Sequence, residues 1–187
     1  MGCIFVVRHG QDTDNLYGIL NGHRDNSLTD YGILQTNKVV EKLRFLNIKE
    51  IYSSPLKRAK QTADIIADSL GITTVSIESK LIERDFGVLT GCRISDIPFF
   101  SKEILITDKV NYFLDVEDSE TFPQLYERAS DLLKSFSNIN NNILFVTHGD
   151  IGKMLYASYY NIPWRDALMN TSYFENANII ELSQINT

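Results

Sequence analysis

The sequence predicts an α/β fold of three layers, in which a mostly parallel central sheet carries helices on both faces. Short apolar runs alternate along the chain with stretches of helical periodicity, a pattern typical of strand–helix units whose strands pair in parallel. The clearest runs are apolar at consecutive positions, as in strands buried on both faces. No repeat, low-complexity tract or Gly/Ser linker divides the 187 residues. We therefore expect a single domain over 1–187, long enough to bury roughly 70% of the surface that its unfolded chain exposes.

The strands are predicted at short runs of apolar and β-branched residues. Each run is bounded by Gly, Asn, Asp, Ser or a charged residue, and these breakers give its ends. The first run stops at Arg8, where the chain becomes polar. The five predicted strands cover 3–7, 50–53, 73–77, 142–147 and 178–182.

The helices are predicted from apolar residues spaced near 3.6 and from their end signals. Thr29 can cap the first helix. In the second, Ser54 stands at the cap, Pro55 at the first helical position, and Gly71 at the stop. Asp150 can cap the last helix. The first predicted helix follows Thr29. The later predicted helices cover 54–71, 122–136 and 152–160.

Two longer segments show no regular period. Residues 8–28 are rich in Gly, Asn and Asp and are predicted to form a polar loop. Residues 81–120 are predicted to combine irregular structure with short helices. Within them we expect 92–118 to act as a lid or selectivity segment, where Lys102 and Lys109 are either solvated or face a second acidic group of a substrate.

Composition and charge narrow the function classes. Apolar residues at 43% and charged residues at 22% are typical of a globular domain, and we find no apolar run long enough for a membrane span. A formal charge of -6 without a basic run disfavours nucleic acid. Cys3 and Cys92 have neither metal-ligand spacing nor the density of a disulfide scaffold. Without a basic segment before its apolar run, the N-terminus is a poor secretory signal, so we expect a cytoplasmic protein.

Two segments that are far apart in the sequence end in the same His-Gly motif. "IFVVRHG" and "ILFVTHG" each consist of an apolar run, a polar residue and His-Gly, and they contain His9 and His148, two of only three histidines. Ligands bind beyond the carboxyl ends of strands in open parallel sheets. If the two strands are neighbours, their spacing of about 4.8 Å places the imidazoles side by side.

Positive charge gathers near the same edge of the predicted sheet. Arg8 precedes His9, and Arg58 lies in the first turn of the helix that follows the strand ending at Ser53. Helix N-termini there and after His148 also favour an anion. Any one of these residues alone is more simply structural or solvated, but together they describe a receptor for a compact dianion such as phosphate.

Five ordered blocks of sequence carry a family resemblance. "RHGQDTDN", "NGHRDNSLTDYG", "SSPLKRAKQTA", "LIERDFGVLTG" and "VTHGDIGKML" follow one another over nearly the whole chain. They resemble the motifs of the histidine phosphatase superfamily, in its phosphoglycerate mutase-like branch. The resemblance implies a metal-independent phosphatase that hydrolyses a small phosphomonoester through a phosphohistidine and needs no cofactor.

The resemblance also implies roles for individual residues. His9 would attack phosphorus, and Glu83 would protonate the leaving oxygen and later take a proton from water. Arg8, Arg58 and His148 would hold the phosphoryl oxygens. We expect a neutral to mildly acidic pH optimum, because His9 must be neutral and Glu83 protonated.

The same resemblance assigns substrate contacts. Asn15 and the Gly149 N–H would complete the phosphate pocket, and Asn21 and Gly22 would border the substrate. His23 lies in the polar loop and is expected to be solvated. The expected partner is a small phosphorylated metabolite, with neither nucleic acid nor membrane, and the sequence leaves a homodimer open.

The chain departs from the family pattern at Asp12, where Thr or Ser is usual. An extra carboxylate beside a phosphate is unfavourable, by roughly 3 kcal/mol at about 6 Å and an effective dielectric of 20. We expect either that Asp12 turns away into a hydrogen bond with loop backbone or that the site is tuned to something unusual.

Three alternatives stay open at this point. A phosphoglycerate mutase would pass the phosphoryl group to another hydroxyl instead of water, although the short chain favours hydrolysis by analogy with longer mutases. A metal phosphatase would use "DTD", Asp12 to Asp14, but its Asp would directly end the apolar strand, and here Arg8 to Gly10 intervene. A catalytically weak family member would only bind a phosphorylated ligand, which retention of both histidines, both arginines and Glu83 disfavours.

Overall fold

The computed structural model describes residues 2–183 and has seven strands and seven α-helices in that range. The strands are β1 Ile4–Arg8, β2 Ile48–Ser53, β3 Val75–Ile77, β4 Ile104–Ile106, β5 Asn111–Phe113, β6 Asn142–Thr147 and β7 Ile179–Leu182. The helices are α1 Thr13–Tyr17, α2 Asp30–Leu43, α3 Lys57–Leu70, α4 Ile97–Phe100, α5 Phe122–Ser135, α6 Gly149–Tyr159 and α7 Trp164–Asn170. Three short 3-10 helices occur at Ser79–Leu81, Gly87–Leu89 and Ile94–Asp96.

Five strands form the central sheet in the order β3-β2-β6-β1-β7. All pairs are parallel except β1 with β7, which is antiparallel. The predicted α/β class with a mostly parallel sheet is therefore confirmed, and β7 is an antiparallel edge strand. Strands β1 and β6 are neighbours in register, with Arg8 opposite Thr147, so His9 and His148 leave the sheet at the same point.

Helices cover both faces of this sheet because the strand side chains are apolar on both sides. All five residues of β1 are buried, as are five of the six residues of β6. Helices α2 and α3 pack on one face and α5 and α6 on the other, which forms two separate apolar clusters. The first cluster includes Val7, Val39, Leu43, Ala63, Ile66 and Val146. The second includes Val6, Leu125, Leu132, Phe145, Met154 and Leu155.

Residues 81–120 form the predicted mixture of irregular structure and short helices. The structure adds an antiparallel hairpin of β4 and β5, which the sequence analysis missed because its strands have only three residues each. A third apolar cluster holds this segment together. Its buried members are Phe86, Leu89, Ile97, Phe113 and Val116.

Two predicted helix starts are wrong. Helix α3 begins at Lys57 with Leu56 at the cap, so Pro55 precedes the helix. Ser54 is not the cap residue, because the helix begins three residues later; its hydroxyl accepts from the Leu56 N–H at 3.3 Å and contacts His148 Nε2 at 2.7 Å. Helix α6 begins at Gly149 with His148 at the cap, and Asp150 lies in its first turn.

Helices α1 and α7 were not predicted. Helix α1 interrupts the polar loop predicted for 8–28. It has only five residues, and a capping box between Asp12 and Asn15 stabilises its N-terminus. Helix α7 packs Ala167 and Leu168 into the core, where tertiary burial stabilises a short segment of weak periodicity. Among the described residues, no helix combines the length and the hydropathy that a membrane crossing requires.

Candidate active site

His9 and His148 lie side by side at the carboxyl ends of β1 and β6. Their ring centroids are 5.0 Å apart, and the two residues are 2% and 0% exposed. The His9 N–H donates to the Thr147 carbonyl at 2.9 Å, which ties the end of one strand to the other. The expected pairing of the two imidazoles is therefore present, and it follows from the parallel register of the strands.

The hydrogen bonds of His9 leave one ring nitrogen available as a nucleophile. Nδ1 lies 2.7 Å from the Gly10 carbonyl, which can only accept, so Nδ1 carries the proton and the lone pair of Nε2 accepts from Arg58 Nε at 3.2 Å. Burial lowers the pKa of His9 well below 6.5, and the charges of Arg58 and Arg8 lower it further. His9 is therefore neutral in the empty site.

His148 is also held neutral. Burial lowers its pKa, followed by the charges of Arg58 and of the neighbouring groups. Nε2 contacts the Ser54 hydroxyl, and Nδ1 is buried without a hydrogen-bond partner among the described residues. A buried polar atom of this kind is unusual, because the great majority of such atoms are paired in folded proteins.

Arg58 projects from the first turn of α3 directly to His9. Its Nε lies 3.2 Å from His9 Nε2, and the side chain is 1% exposed. The terminal nitrogens donate to the backbone carbonyls of Arg24, at 2.6 Å, and Gly22, at 2.9 Å. These bonds fix the plane of the guanidinium, so the arginine is positioned before any ligand arrives.

Arg8 approaches from the other side and is held by residues that the sequence analysis missed. Its Nη1 donates to the Tyr173 hydroxyl and to the Phe174 carbonyl, both at 2.7 Å. Arg8 Nε is buried without a partner among the described residues. Tyr173 and Phe174 stand in a polar segment with no motif, so nothing in the sequence indicated their role.

Glu83 lies at the N-terminus of α6. Its Oε2 accepts from the N–H groups of Gly149 at 3.0 Å and Asp150 at 3.4 Å, and its Oε1 accepts from those of Arg84 at 2.9 Å and Ile151 at 3.3 Å. Burial raises its pKa above the usual value, and the nearby Asp150 carboxylate adds to this. The carboxyl group therefore occupies an anion site of the helix terminus in the empty protein.

The predicted substrate contacts lie around the same centre. The Gly149 N–H, expected to bind phosphate, donates to Glu83 in the empty site. Asn15 Oδ1 accepts from Asn176 Nδ2 at 3.0 Å, and Asn15 Nδ2 lies 3.4 Å from Asn21 Oδ1. Gly22 contributes its backbone carbonyl, which accepts a hydrogen bond from Arg58 Nη2.

Asp12 does not turn away from the site. Its Oδ1 caps α1 by accepting from the Asn15 N–H at 2.8 Å, so one oxygen does bind loop backbone as expected. The other oxygen, Oδ2, lies 3.3 Å from Arg58 Nε and accepts from Asn21 Nδ2. The side chain is fully buried. Burial raises the pKa of Asp12, while the Asn15 hydrogen bond and Arg58 oppose that change.

His23 makes a contact that the expectation of a solvated residue did not include. Its Nε2 lies 2.8 Å from the backbone carbonyl of Glu83, and its ring is partly exposed. Asn176 was likewise missed, and its Nδ2 donates to the His9 carbonyl at 3.0 Å. His23 thus contacts the backbone of Glu83, and Asn176 contacts the backbone of His9, the two residues expected to carry out the chemistry.

A cavity of about 120 Å³ opens beside these residues. Its polar lining includes Arg8, Asn15, Asn21, Glu83 and Gly149. Much of the remaining lining is apolar and comes from the third cluster and its surroundings: Ile19, Leu20, Phe86, Ile94, Ile97, Val110 and Phe113. The segment predicted to be a lid or selectivity element thus supplies one wall of the cavity.

The chain is similar in sequence to phosphoglycerate mutases and their relatives. It is 34% identical over 151 residues to the 2,3-bisphosphoglycerate-dependent phosphoglycerate mutase of Thermoplasma acidophilum, which covers 80% of this chain and 72% of that protein. It is 33% identical over 159 residues to phosphoglycerate mutase-like protein 4 of Arabidopsis thaliana, over 82% of this chain and 69% of that protein.

Solved structures with the same fold include phosphatases. Phosphoserine phosphatase from Entamoeba histolytica, in complex with 3-phosphoglyceric acid, has a TM-score of 0.81 at 26% identity and covers 97% of this chain and 90% of that one. A mycobacterial glucosyl-3-phosphoglycerate phosphatase shares the fold, with a TM-score of 0.79 at 19% identity over 96% and 89% of the two chains. The model of the histidine phosphatase superfamily, branch 1, matches residues 4–185. With the paired histidines and arginines in place at the sheet edge, the chain belongs to the histidine phosphatase superfamily.

Proposed function

We propose that this protein hydrolyses a small phosphomonoester through a phosphohistidine on His9. The observation that carries the proposal is the state of His9: Nδ1 is hydrogen-bonded to the Gly10 carbonyl, and the unprotonated Nε2 faces Arg58 Nε at 3.2 Å, beside His148. A neutral imidazole held in one tautomer is a competent nucleophile. The surrounding guanidinium groups supply the charge stabilisation that phosphoryl transfer requires.

The proposed reaction has two steps. His9 Nε2 forms a bond to phosphorus while the bond from phosphorus to the ester oxygen breaks, and protonated Glu83 gives its proton to the leaving oxygen. In the second step Glu83 takes a proton from water as the water oxygen displaces His9 from phosphorus. Arg8, Arg58 and His148 hold the equatorial oxygens throughout, and the negative charge of a bound phosphoryl group raises the pKa of His148 toward its charged form.

Glu83 must leave the α6 N-terminus when the substrate enters. In the empty protein its carboxyl oxygens accept hydrogen bonds from the N–H groups of Gly149, Asp150 and Ile151. A phosphoryl oxygen of higher charge density competes for these donors. The displaced carboxyl then stands beside a dianion, which further favours its protonated form and prepares it as the general acid.

The cavity wall favours a leaving group without negative charge. In the part of the chain that the structure describes, the cations of the lining are Arg8 and Arg84. Arg84 is 1% exposed, pairs with Asp150 at 2.8 Å and faces the rings of Phe86, Phe113 and Phe122. Arg8 is assigned to the phosphoryl group. Because a second anionic group would face a largely apolar wall, and because Arg84 is already paired with Asp150 and Arg8 is assigned to the phosphoryl group, we propose a small substrate with an uncharged alcohol or phenol as leaving group.

Phosphoglycerate mutase activity is the second candidate, because the similar sequences include proteins of that name. It requires a phosphohistidine that persists until a second hydroxyl arrives. It also requires a place for the carboxylate of phosphoglycerate, which the apolar wall disfavours.

The test is a substrate panel combined with trapping of the intermediate. Phosphate release is measured from p-nitrophenyl phosphate, simple alkyl phosphates and 3-phosphoglycerate in the presence of a chelator, and acid-labile phosphate on the protein is located by mass spectrometry after rapid quenching. We expect phosphate release with a preference for uncharged leaving groups, and label on His9. His9→Ala should abolish both signals.

Matched variants separate the site from general effects on the fold. Arg58→Ala should reduce kcat/KM on the order of a hundredfold, as for loss of one preorganised charge donor. Arg44→Ala removes an exposed arginine at the end of α2 and should leave it unchanged. Transfer between hydroxyls of phosphoglycerate without phosphate release would favour the mutase, and activity that the chelator abolishes would contradict the mechanism.

A further inference from the structure

The side chain of Asp12 lies beside Arg58 at the proposed phosphate site, although a carboxylate bears the charge that a phosphate site should exclude. It is fully buried, and its Oδ2 lies 3.3 Å from Arg58 Nε. The same Nε lies 3.2 Å from His9 Nε2. The Nε–H of Arg58 is therefore hydrogen-bonded to the proposed nucleophile, while the Asp12 side chain forms an ion pair with the same guanidinium.

Arg58 has no other carboxylate at comparable distance in the ion pairs of residues 2–183. Its two terminal nitrogens are taken by backbone carbonyls, and Asp14, on the same short helix as Asn15, pairs with Arg24 at 2.7 Å. A guanidinium that is 1% exposed is costly to bury without a partner. In the empty site, Asp12 is the group that offsets this cost.

We propose that Asp12 acts through Arg58, as the built-in counter-ion of its guanidinium, and that it thereby weakens binding of the phosphate dianion. The inference takes phosphate as the ligand from the proposed function. A site containing two arginines and Asp12 carries less net positive charge than one with an uncharged residue at this position. The consequence for turnover is weaker inhibition by the product, inorganic phosphate.

The two oxygens of Asp12 have separable roles, which makes a clean test available. Oδ1 caps α1 through the Asn15 N–H, and a Thr hydroxyl makes the same bond at a helix N-cap. Asp12→Thr thus keeps the cap and removes the charge. Asp12→Asn keeps the cap oxygen and the size, but turns an N–H donor toward Arg58 and Asn21.

Binding of inorganic phosphate is measured by titration calorimetry at mildly alkaline pH, and melting is followed with and without phosphate. For Asp12→Thr we expect the Kd of phosphate to fall at least about tenfold. The melting temperature without phosphate should fall, and the increase caused by phosphate should grow. With p-nitrophenyl phosphate, KM should fall and inhibition by phosphate should strengthen.

Asp14→Asn is the matched control. It removes a buried carboxylate from the same helix, but one whose partner is Arg24. We expect its phosphate Kd to stay within about threefold of the wild type, because its ion-pair partner is Arg24 and its electrostatic effect on Arg58 is smaller than that of Asp12.

A purely structural role for Asp12 predicts no gain in phosphate binding when its charge is removed. If folded Asp12→Thr binds phosphate equally or more weakly than the wild type, the proposal is overturned. If neither variant folds alone, recovery of folding by inorganic phosphate supports it, since the dianion then replaces the missing counter-ion, and failure to recover overturns it. Because binding is measured directly, an inactive wild-type protein would contradict the proposed activity without deciding this comparison.

Discussion

At the scale of single residues, the protein shifts the pKa values of His9 and Glu83 in opposite directions. Burial lowers the pKa of the imidazole, because the charged form loses hydration, and it raises the pKa of the carboxyl for the same reason. Arg58 and Arg8 add to the first shift and Asp150 to the second. Both shifts favour the neutral forms that a nucleophile and a general acid need.

The pH dependence of kcat/KM should therefore be bell-shaped with its maximum on the acidic side. Activity is lost at low pH only below the usual histidine pKa, where His9 is finally protonated. It is lost at higher pH as Glu83 gives up its proton above the usual carboxyl range. The measurement is kcat/KM against pH, corrected for ionisation of the substrate.

Glu83→Gln removes the general acid and should reduce activity by about a hundredfold or more, with loss of the alkaline limb of the profile. Glu117→Gln, at an exposed position beside the third apolar cluster, is the matched control and should keep both limbs. Wild-type activity that climbs steadily above about pH 9 would assign the two limbs to other groups.

At the scale of elements, α6 links the proposed phosphate site to the segment that holds Arg8. A Cβ built at Gly152 would overlap the ring of Phe174, whose carbonyl accepts from Arg8 Nη1 at 2.7 Å. The close approach of helix and ring is possible because this position has no side chain. The helix therefore fixes the guanidinium indirectly, through a residue far along the chain.

Gly152→Ala should lower the free energy of unfolding by about 1–3 kcal/mol through overpacking. It should also raise KM several-fold, because Phe174 moves and Arg8 loses its acceptor. Denaturant unfolding and steady-state kinetics measure the two effects. Ser158→Ala, on the half-buried side of the same helix, should change neither by much. Destabilisation with an unchanged KM would show that Phe174 does not position Arg8.

At the scale of the whole molecule, the two sheet faces and residues 92–118 are expected to unfold as one domain. Trp164 is the only tryptophan of the chain and stacks on Phe122, with ring centroids 5.8 Å apart. Its fluorescence reports the cluster beneath α5 and α6, whereas far-ultraviolet circular dichroism reports all elements. The two transitions should coincide in denaturant. Separate midpoints would divide the chain into independently stable units.

The strands of the central sheet could be predicted from short apolar runs between breaker residues, and most clearly where a strand is buried on both faces and apolar throughout. β1 and β6 were recognised in this way, within one residue of their observed ends. The short elements α1, α7, β4 and β5 could not be predicted, since segments of three to seven residues carry too little periodicity and are stabilised mainly by tertiary packing. The wrong starts of α3 and α6 came from cap residues that the fold uses elsewhere.

The sequence by itself determined the fold class, the family and the residue types at the ends of β1 and β6, because these follow from local patterns and short motifs. Only the tertiary structure decided which side chains of the site contact one another. Arg8 donates a hydrogen bond to Tyr173, which lies 165 positions further along the chain. Arg58 forms an ion pair with Asp12 and donates to His9, and both of these residues follow β1. Such contacts depend on how the sheet register and helix packing bring distant segments together. A sequence pattern shows which charges exist, whereas their pairing is set by distances that arise only in the folded chain.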